Sequence, residues 1–358
     1  MAVIIVTPNT VINSDTVYNG DTLDLSSGNF IIQNSATLSI LNCTVNGILS
    51  NSNPVLIKCD MGNLIMTNSI VHVLAPTIPP HPTTQSLHYF MTLEKGEVNL
   101  TDNEMLIIDS FTCGFLVTST TQTTNNLKFI RNKWTNWHGV LYLLNSNSCL
   151  IDDNRFKLCS YGNIVIVGDN NTINDNEILL SGRDELGNAI DILGSDHCKI
   201  TNNNIVTATC RGIFIVSSSN CFVDNNIITG GITWGIRILS STQPLDGDDY
   251  AIYLCHKRNI ALADTHDITI SNNIMTQNRY GLSAINVDKL TVDGNYFSQR
   301  FEDAAQRLFW TDNAILLDNV TDLVWTNNFY KEAFTQVNGG DNSHTQIVVF
   351  PSTGGVVI

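Results

Sequence analysis

Apolar residues in this chain come in short alternating runs, and one arrangement of them recurs. An apolar residue is followed three positions later by Asn and two further on by another apolar residue. It occurs as Ile65/Asn68/Ile70, Leu100/Asn103/Met105, Phe129/Asn132/Trp134, Ile151/Asn154/Phe156 and Ile173/Asn176/Ile178. It continues as Ile200/Asn203/Ile205, Val223/Asn226/Ile228, Ile270/Asn273/Met275, Val292/Asn295/Phe297 and Val324/Asn327/Phe329, while Ile40/Cys43/Val45 keeps the apolar pair with Cys at the Asn place. From Phe129 onward the starts step by 22, 22, 27, 23, 47, 22 and 32 residues. A step near 22 residues with occasional additions is the coil length of a solenoid with loop insertions. Short alternating runs between Asn turns predict strands rather than helices.

Each feature of the repeat has a physical reason. Asn tolerates left-handed backbone angles at a sharp bend and can bond the backbone through its amide. Coils stacked at strand spacing place those amides within reach of one another. The apolar pair points inward and stacks on its counterparts above and below. After each turn a small residue leads a short apolar strand, as at Gly114, Gly139, Gly212, Gly235 and Gly281. The expected fold is all-β, a single-stranded right-handed parallel β-helix forming one domain. Residues 1–39 would be an N-terminal coil or cap, 40–335 the repeat coils and 336–358 a C-terminal cap.

Over about 40–335 the repeat resembles the pectin-lyase-like superfamily of right-handed β-helices, especially its Asn-turn repeats of the NosD type. That superfamily holds lyases, hydrolases, epimerases, transferases, phage tailspikes and adhesins, so the resemblance implies a fold and leaves the chemistry to the site. It also implies that a cleft, where there is one, lies along the small-residue-led strand, and that trimers are common.

Composition narrows the partners. The net charge is −15, from 18 basic and 33 acidic residues, which argues against nucleic acid and anionic membranes, both bound through clustered Lys and Arg. No apolar run is long enough to span a bilayer, and the first residues lack a signal-peptide pattern. The expectation is therefore a chain made in the cytoplasm, with signal-independent export or a place on a virion left open. Nine Cys do not suggest a disulfide framework. Cys149, Cys198 and Cys221 share one repeat place and are expected to stack in the core with Leu38, Val98, Leu127, Ile268 and Leu290, as reduced thiols.

Insertions fall at His72–Gly96, Leu180–Asn188, Ser240–Asp267 and Ser298–Asp312, the last containing a short amphipathic helix pattern. The third is either a degenerate coil or a long loop, and its missing Asn turn favours the loop. The outward column of the small-residue-led strands reads Leu116, Leu141, Val165, Asp191, Phe214, Arg237, Ser283 and Leu316. Bland at its ends, it turns polar and aromatic between 188 and 283. Asn188, Arg211, Trp234, Arg237 and Tyr280, with Tyr253 from the neighbouring insertion, would bind successive sugar units. Asp191, with Asp184 or Glu185, would supply the two carboxyl groups that glycoside hydrolysis or transfer requires.

Two other readings stay open. The strip only binds a glycan, as in a tailspike or host-interaction protein, or it performs lyase chemistry with His256, Lys257, Arg258 or Arg279 and Tyr280. No cofactor is expected, with calcium left open as a lesser alternative: Asp246, Asp248 and Asp249 invite it but lack the spaced ligands and closing Glu of an EF-hand loop, and no Cys/His spacing suggests zinc. The expected partner is a polysaccharide or oligosaccharide, with a homo-oligomer compatible with the apolar ends MAVIIV and TGGVVI.

Overall fold

Strands, Asn turns and strands follow one another as the repeat predicts. In the coil that begins at Arg211, a leading strand Arg211–Val216 is followed by a pre-turn strand Phe222–Asp224, the Asn turn, and a post-turn strand Ile227–Thr229. The computed structural model describes residues 2–75, 88–108, 114–137, 139–159, 163–179, 188–206, 211–230, 234–239, 264–278, 280–299, 313–330 and 346–349. They belong to two compact units, 1–183 and 184–358.

Each unit is a β-solenoid. In the first, eight post-turn strands from Val3–Ile5 to Glu177–Leu179 pair in parallel in succession. In the second, five do so from Asn204–Val206 to Phe329–Tyr330. Among the described residues there is no α-helix, and the amphipathic pattern within 298–312 lies largely outside them.

The expected amide ladder is present in both units. In the first, Asn103 donates to Asn132 at 2.9 Å, Asn132 to Asn154 at 3.2 Å, and Asn154 to Asn176 at 3.0 Å. In the second, Asn203, Asn226, Asn273, Asn295 and Asn328 form the same chain at 2.9–3.0 Å. The left-handed residue, however, is the one before the ladder Asn: Asp102, Arg131, Asp153, Asp175, Asn202, Asn225, Asn272 and Asn327 all have φ between 52° and 58°. The ladder Asn spends its side chain on the next coil, and its predecessor makes the bend.

This division of labour corrects two motif placements. At 68 and 327 the repeat reading puts Asn on the ladder, but Asn68 (φ 50°) and Asn327 (φ 52°) are bend residues. The ladder positions are Ser69, whose backbone N–H donates to Asn103 at 2.9 Å, and Asn328. A one-residue slip exchanges the faces, so Met66, Val71 and Trp325 take the inward registers while Ile70 and Phe329 are exposed. Both sequences offer apolar residues in either register, and Asn suits both roles.

Phe222 pairs with Thr269 and Trp234 with Tyr280, while 240–263, where the loop or degenerate coil is expected, lies outside the described residues. Part of the excursion expected over 72–96 is strand: Tyr89–Lys95 pairs with Val55–Asp60, with a register shift between Leu93 and Lys95, and with Gly114–Thr118. The apolar start forms Val3–Ile5, an edge strand with Val3 and Ile5 exposed. Residues 350–358 lie outside the described set.

The core is the stack of inward residues. Trp134 and Phe156 stack at 4.8 Å, and Cys149, Cys198 and Cys221 are buried and outside any disulfide, as expected, with Leu38, Val98 and Leu127 buried in the first unit and Ile268 and Leu290 in the second. Small residues at the head of the leading strands make room for rings: a Cβ on Gly114 would lie 2.5 Å from the Tyr89 ring, and Gly139 has φ +77°.

A second device links coils on the outside of the second unit. Asp196 accepts from the Ser219 hydroxyl and Asn220 amide of the next coil, both at 2.8 Å. Asp224 accepts from Ser271 at 2.7 Å and Asn272 at 2.9 Å, and Asp293 from Thr326 at 2.6 Å and Asn327 at 2.9 Å. The Thr326 hydroxyl and the Asn327 amide hold the Asp293 carboxyl below the usual carboxylate value. A depressed pKa contributes stability above the unfolded value of about 4 that is lost as pH falls toward the folded value. The melting temperature should therefore drop as pH is lowered below about 4. Asp293→Ala should melt lower at neutral pH and show a shallower acid arm; an identical acid arm would remove Asp293 from the acid response.

Candidate functional site

The leading strands of the second unit bring the polar column together. Ile190–Leu193, Arg211–Val216, Trp234–Leu239 and Tyr280–Asp293 are successive parallel neighbours. Their register places Asp191 beside Phe214, Phe214 beside Arg237, Arg237 beside Ser283 and Ser283 beside Leu316, in the order that alternation predicts. Arg211, Trp234 and Tyr280 line up in a second column. In the first unit the count slips: Leu141 pairs with Ile164, and Val165 lies beside Tyr142. The connection from Asn turn to leading strand varies in length, so counting from the turns does not fix the register of the next leading strand.

The centre of the column is a hydrogen-bonded group. The Asn188 amide donates to Asp191 Oδ1 at 2.6 Å, and Asn188 Oδ1 lies 3.5 Å from Arg211 Nη1. Asn188 thus stands between a carboxylate and a guanidinium. The Arg211 guanidinium also lies over the Phe214 ring, 4.5 Å from its centroid, a cation–π contact. The pattern sets Asp191 on an outward, open strip, but Asn188, Asp191 and Arg211 are 3%, 4% and 3% exposed. Ile190–Leu193 and Arg211–Val216 are buried on both faces, as strands of parallel sheets commonly are. Burying a carboxylate and a guanidinium costs stability unless they are paired and bonded.

Trp234, Arg237 and Tyr280 occupy their expected strand places, Arg237 in register with Phe214, and Trp234 between Arg211 and Tyr280. Asp184, Glu185 and Tyr253 lie outside the described residues, as do His256, Lys257, Arg258 and Arg279. The residue pattern gave no role to Phe214 or Ser283. Phe214 seats the guanidinium, and Ser283, in the same column, has a buried hydroxyl that finds no hydrogen-bond partner among the described residues. An aromatic three residues after an Arg at the head of a strand is the signal that points to the first; nothing local points to the second.

Comparison with known proteins bears on the fold. The family described as right handed beta helix region matches residues 183–347, and the family described as periplasmic copper-binding protein (NosD) matches residues 82–246. A mutant form of the periplasmic alginate epimerase AlgG is similar with a TM-score of 0.51 at 13% identity, over 88% of this chain and 78% of that one. This chain folds as a right-handed parallel β-helix. This β-helix is also similar to the pre-mature bacteriophage phi29 gene product 12, with a TM-score of 0.48 at 11% identity, over 94% of this chain and 53% of that one. Bacteriophage CBA120 tailspike protein 3 gives a TM-score of 0.41 at 10% identity, over 92% and 53%. No curated protein matches the sequence.

One family description names copper, and the donor set of this β-helix can be held against it. Among the described residues no group of three or more His, Cys, Asp or Glu is placed to hold a metal ion. The described cysteines of the matched span, Cys149, Cys159, Cys198 and Cys221, are all buried. Burial pushes the Cys159 thiol up to about 12, and the hydrogen bond with Cys198 together with burial raises Cys221. Copper is held by thiolate, thioether or imidazole donors, and these thiols are buried singly or in a pair rather than grouped with further donors. The described residues do not fit a copper centre.

Proposed function

We propose that this β-helix acts on a polysaccharide as a glycoside hydrolase or glycosyl transferase, with its chemistry on the leading-strand face around Asp191. The observation that supports this reading is the Asp191–Asn188–Arg211 group, a charged cluster set into strands that are otherwise apolar. A fold needing only a core would fill those places with Leu or Val, as at Leu116 and Leu141 of the first unit. Buried ionisable clusters of this kind concentrate at functional sites.

In the proposed reaction Asp191 is one of the two carboxyl groups, held in orientation by the Asn188 amide. Asp184 or Glu185 in the adjoining insertion would be the other. One carboxyl protonates the glycosidic oxygen while the second attacks the sugar or activates water. Arg211, Arg237, Trp234, Tyr280 and Tyr253 would hold successive sugar units, the coil rise of about 4.8 Å being close to the length of one ring. The alginate epimerase shares the fold with this chain, but at 13% identity that likeness carries the fold alone, so the proposal rests on the cluster.

A second reading has its own support. Asn188, Asp191 and Arg211 are almost fully buried, which suits a face that binds or stabilises without turnover. The test is a panel of neutral and acidic polysaccharides assayed for new reducing ends and for the ultraviolet absorbance of unsaturated products. Reducing ends that depend on Asp191 support the hydrolase. Unsaturated product would mean a lyase, and silence on every glycan would leave binding alone.

A further inference from the structure

The post-turn sheet of the second unit carries a feature unrelated to the Asp191 face. The residue directly after each ladder Asn points outward. In the first unit this place holds an exposed Ile70 after Ser69 and then Glu104, Lys133, Arg155 and Glu177, in register along the sheet. In the second it holds Asn204, Ile227, Ile274, Tyr296 and Phe329, again in register. The fold therefore accepts charge at this position, and its absence from the second unit is not a packing requirement. Ile227, Ile274 and Phe329 are 44%, 41% and 58% exposed. The Tyr296 and Phe329 rings stack at 5.5 Å and 19°, forming a ridge that continues the line of the two isoleucines.

Beside this column runs a second one, Val206, Thr229, Thr276 and Ser298, also without charge. The Thr229 and Thr276 hydroxyls lie 3.0 Å apart, so neighbouring coils present a short row of hydroxyl groups next to the apolar ridge. The result is a straight, uncharged strip, half apolar and half hydroxyl, on a protein of net charge −15.

We propose that this strip binds a neutral, extended polysaccharide, at a site separate from the Asp191 face. Three properties select that occupant. Large side chains of this kind carry roughly 150–250 Å² each, so at these exposures the strip offers on the order of 300 Å², well short of the ~800 Å² per partner of a stable protein interface. A slender polymer needs no more. Sugar rings have apolar faces edged by hydroxyls, which matches an apolar column running beside a hydroxyl column. The absence of charge in both columns leaves nothing to pair with a uronate or sulfate. Chain direction follows the solenoid axis, along which the ridge repeats with the coil rise.

The test is co-sedimentation of the full chain with microcrystalline cellulose, chitin and insoluble mannan, comparing wild type, Ile274→Thr/Phe329→Ala and Asp191→Asn. Wild type should bind at least one of them, the double variant should bind it at least tenfold more weakly, and Asp191→Asn should bind like wild type. Asp191→Asn thus keeps this inference separate from the proposed catalytic role. The proposal is overturned if wild type stays in the supernatant with all three, or if the double variant binds equally well. It is also overturned if ultracentrifugation shows a wild-type oligomer that the double variant dissociates, since the strip is then a protein interface. Thermal melting checks that the double variant is folded; should it melt early, the exposed single change Phe329→Ala decides the matter by the same criteria.

Discussion

Truncating Asn226 to Ala is expected to destabilise the second unit by about 3–5 kcal/mol, at about 1–3 kcal/mol for each buried polar group left unsatisfied. Asn226 is fully buried and central to its ladder. Its amide donates to Ile200 O at 2.9 Å, Asp224 O at 3.1 Å and Asn273 Oδ1 at 2.9 Å. Its Oδ1 accepts from both the backbone N–H and the side-chain amide of Asn203 at 2.9 Å. Alanine strands the Asn203 donors and the Ile200 carbonyl in a place water does not reach. The contrast is Asn225→Gly one residue earlier. Asn225 is exposed, has φ 54° and gives one amide bond to Asn202 at 2.7 Å. Glycine keeps that backbone angle, so its cost should stay within about 1 kcal/mol. Thermal and denaturant melts of the two variants make the comparison. Equal losses would mean that the ladder amides contribute no more than a surface bond.

Asp191→Asn is expected to cut turnover of a responsive polysaccharide by roughly 10²–10⁴-fold, the range a general acid or base contributes. The substitution keeps an Oδ1 that can accept from the Asn188 amide, so the local hydrogen bond at 2.6 Å has a replacement. What it removes is the ionisable group, and with it the negative charge near Arg211. The melting temperature should fall as well, since Arg211 stays buried beside a neutral partner, so kcat is compared at a temperature where both proteins are folded. Asn188→Ala separates positioning from chemistry: it should lower kcat less and broaden or displace the pH profile, because the carboxyl loses its donor but keeps its titration. Equal kcat in wild type and Asp191→Asn would place the chemistry elsewhere or nowhere on this face.

Much of the fold was legible because its period is written in side chains that must point inward. Eight of the ten Asn motifs carry ladder residues and buried apolar pairs where the pattern puts them, since an inward apolar residue and a buried amide leave little freedom. The two slips, at Asn68 and Asn327, fall where an Asn precedes another polar residue and both registers are apolar. The Asp clamps that join Asp224 to Ser271 and Asn272 were invisible, because their partners lie 47 and 48 residues apart across an insertion.

The sequence by itself determined the solenoid, its coil length, the stacked thiols and the polar column from Asn188 to Ser283, because all of these follow from alternation and period. Tertiary structure decided what the column is like. Alternation says which side of a strand a residue occupies, not what covers that side, so only the packed chain shows Asp191, Asn188 and Arg211 joined and buried. The same limit hid the strip of Ile227, Ile274, Tyr296 and Phe329. Its residues lie up to 102 positions apart, from 227 to 329, and become one surface only when the coils stack in register.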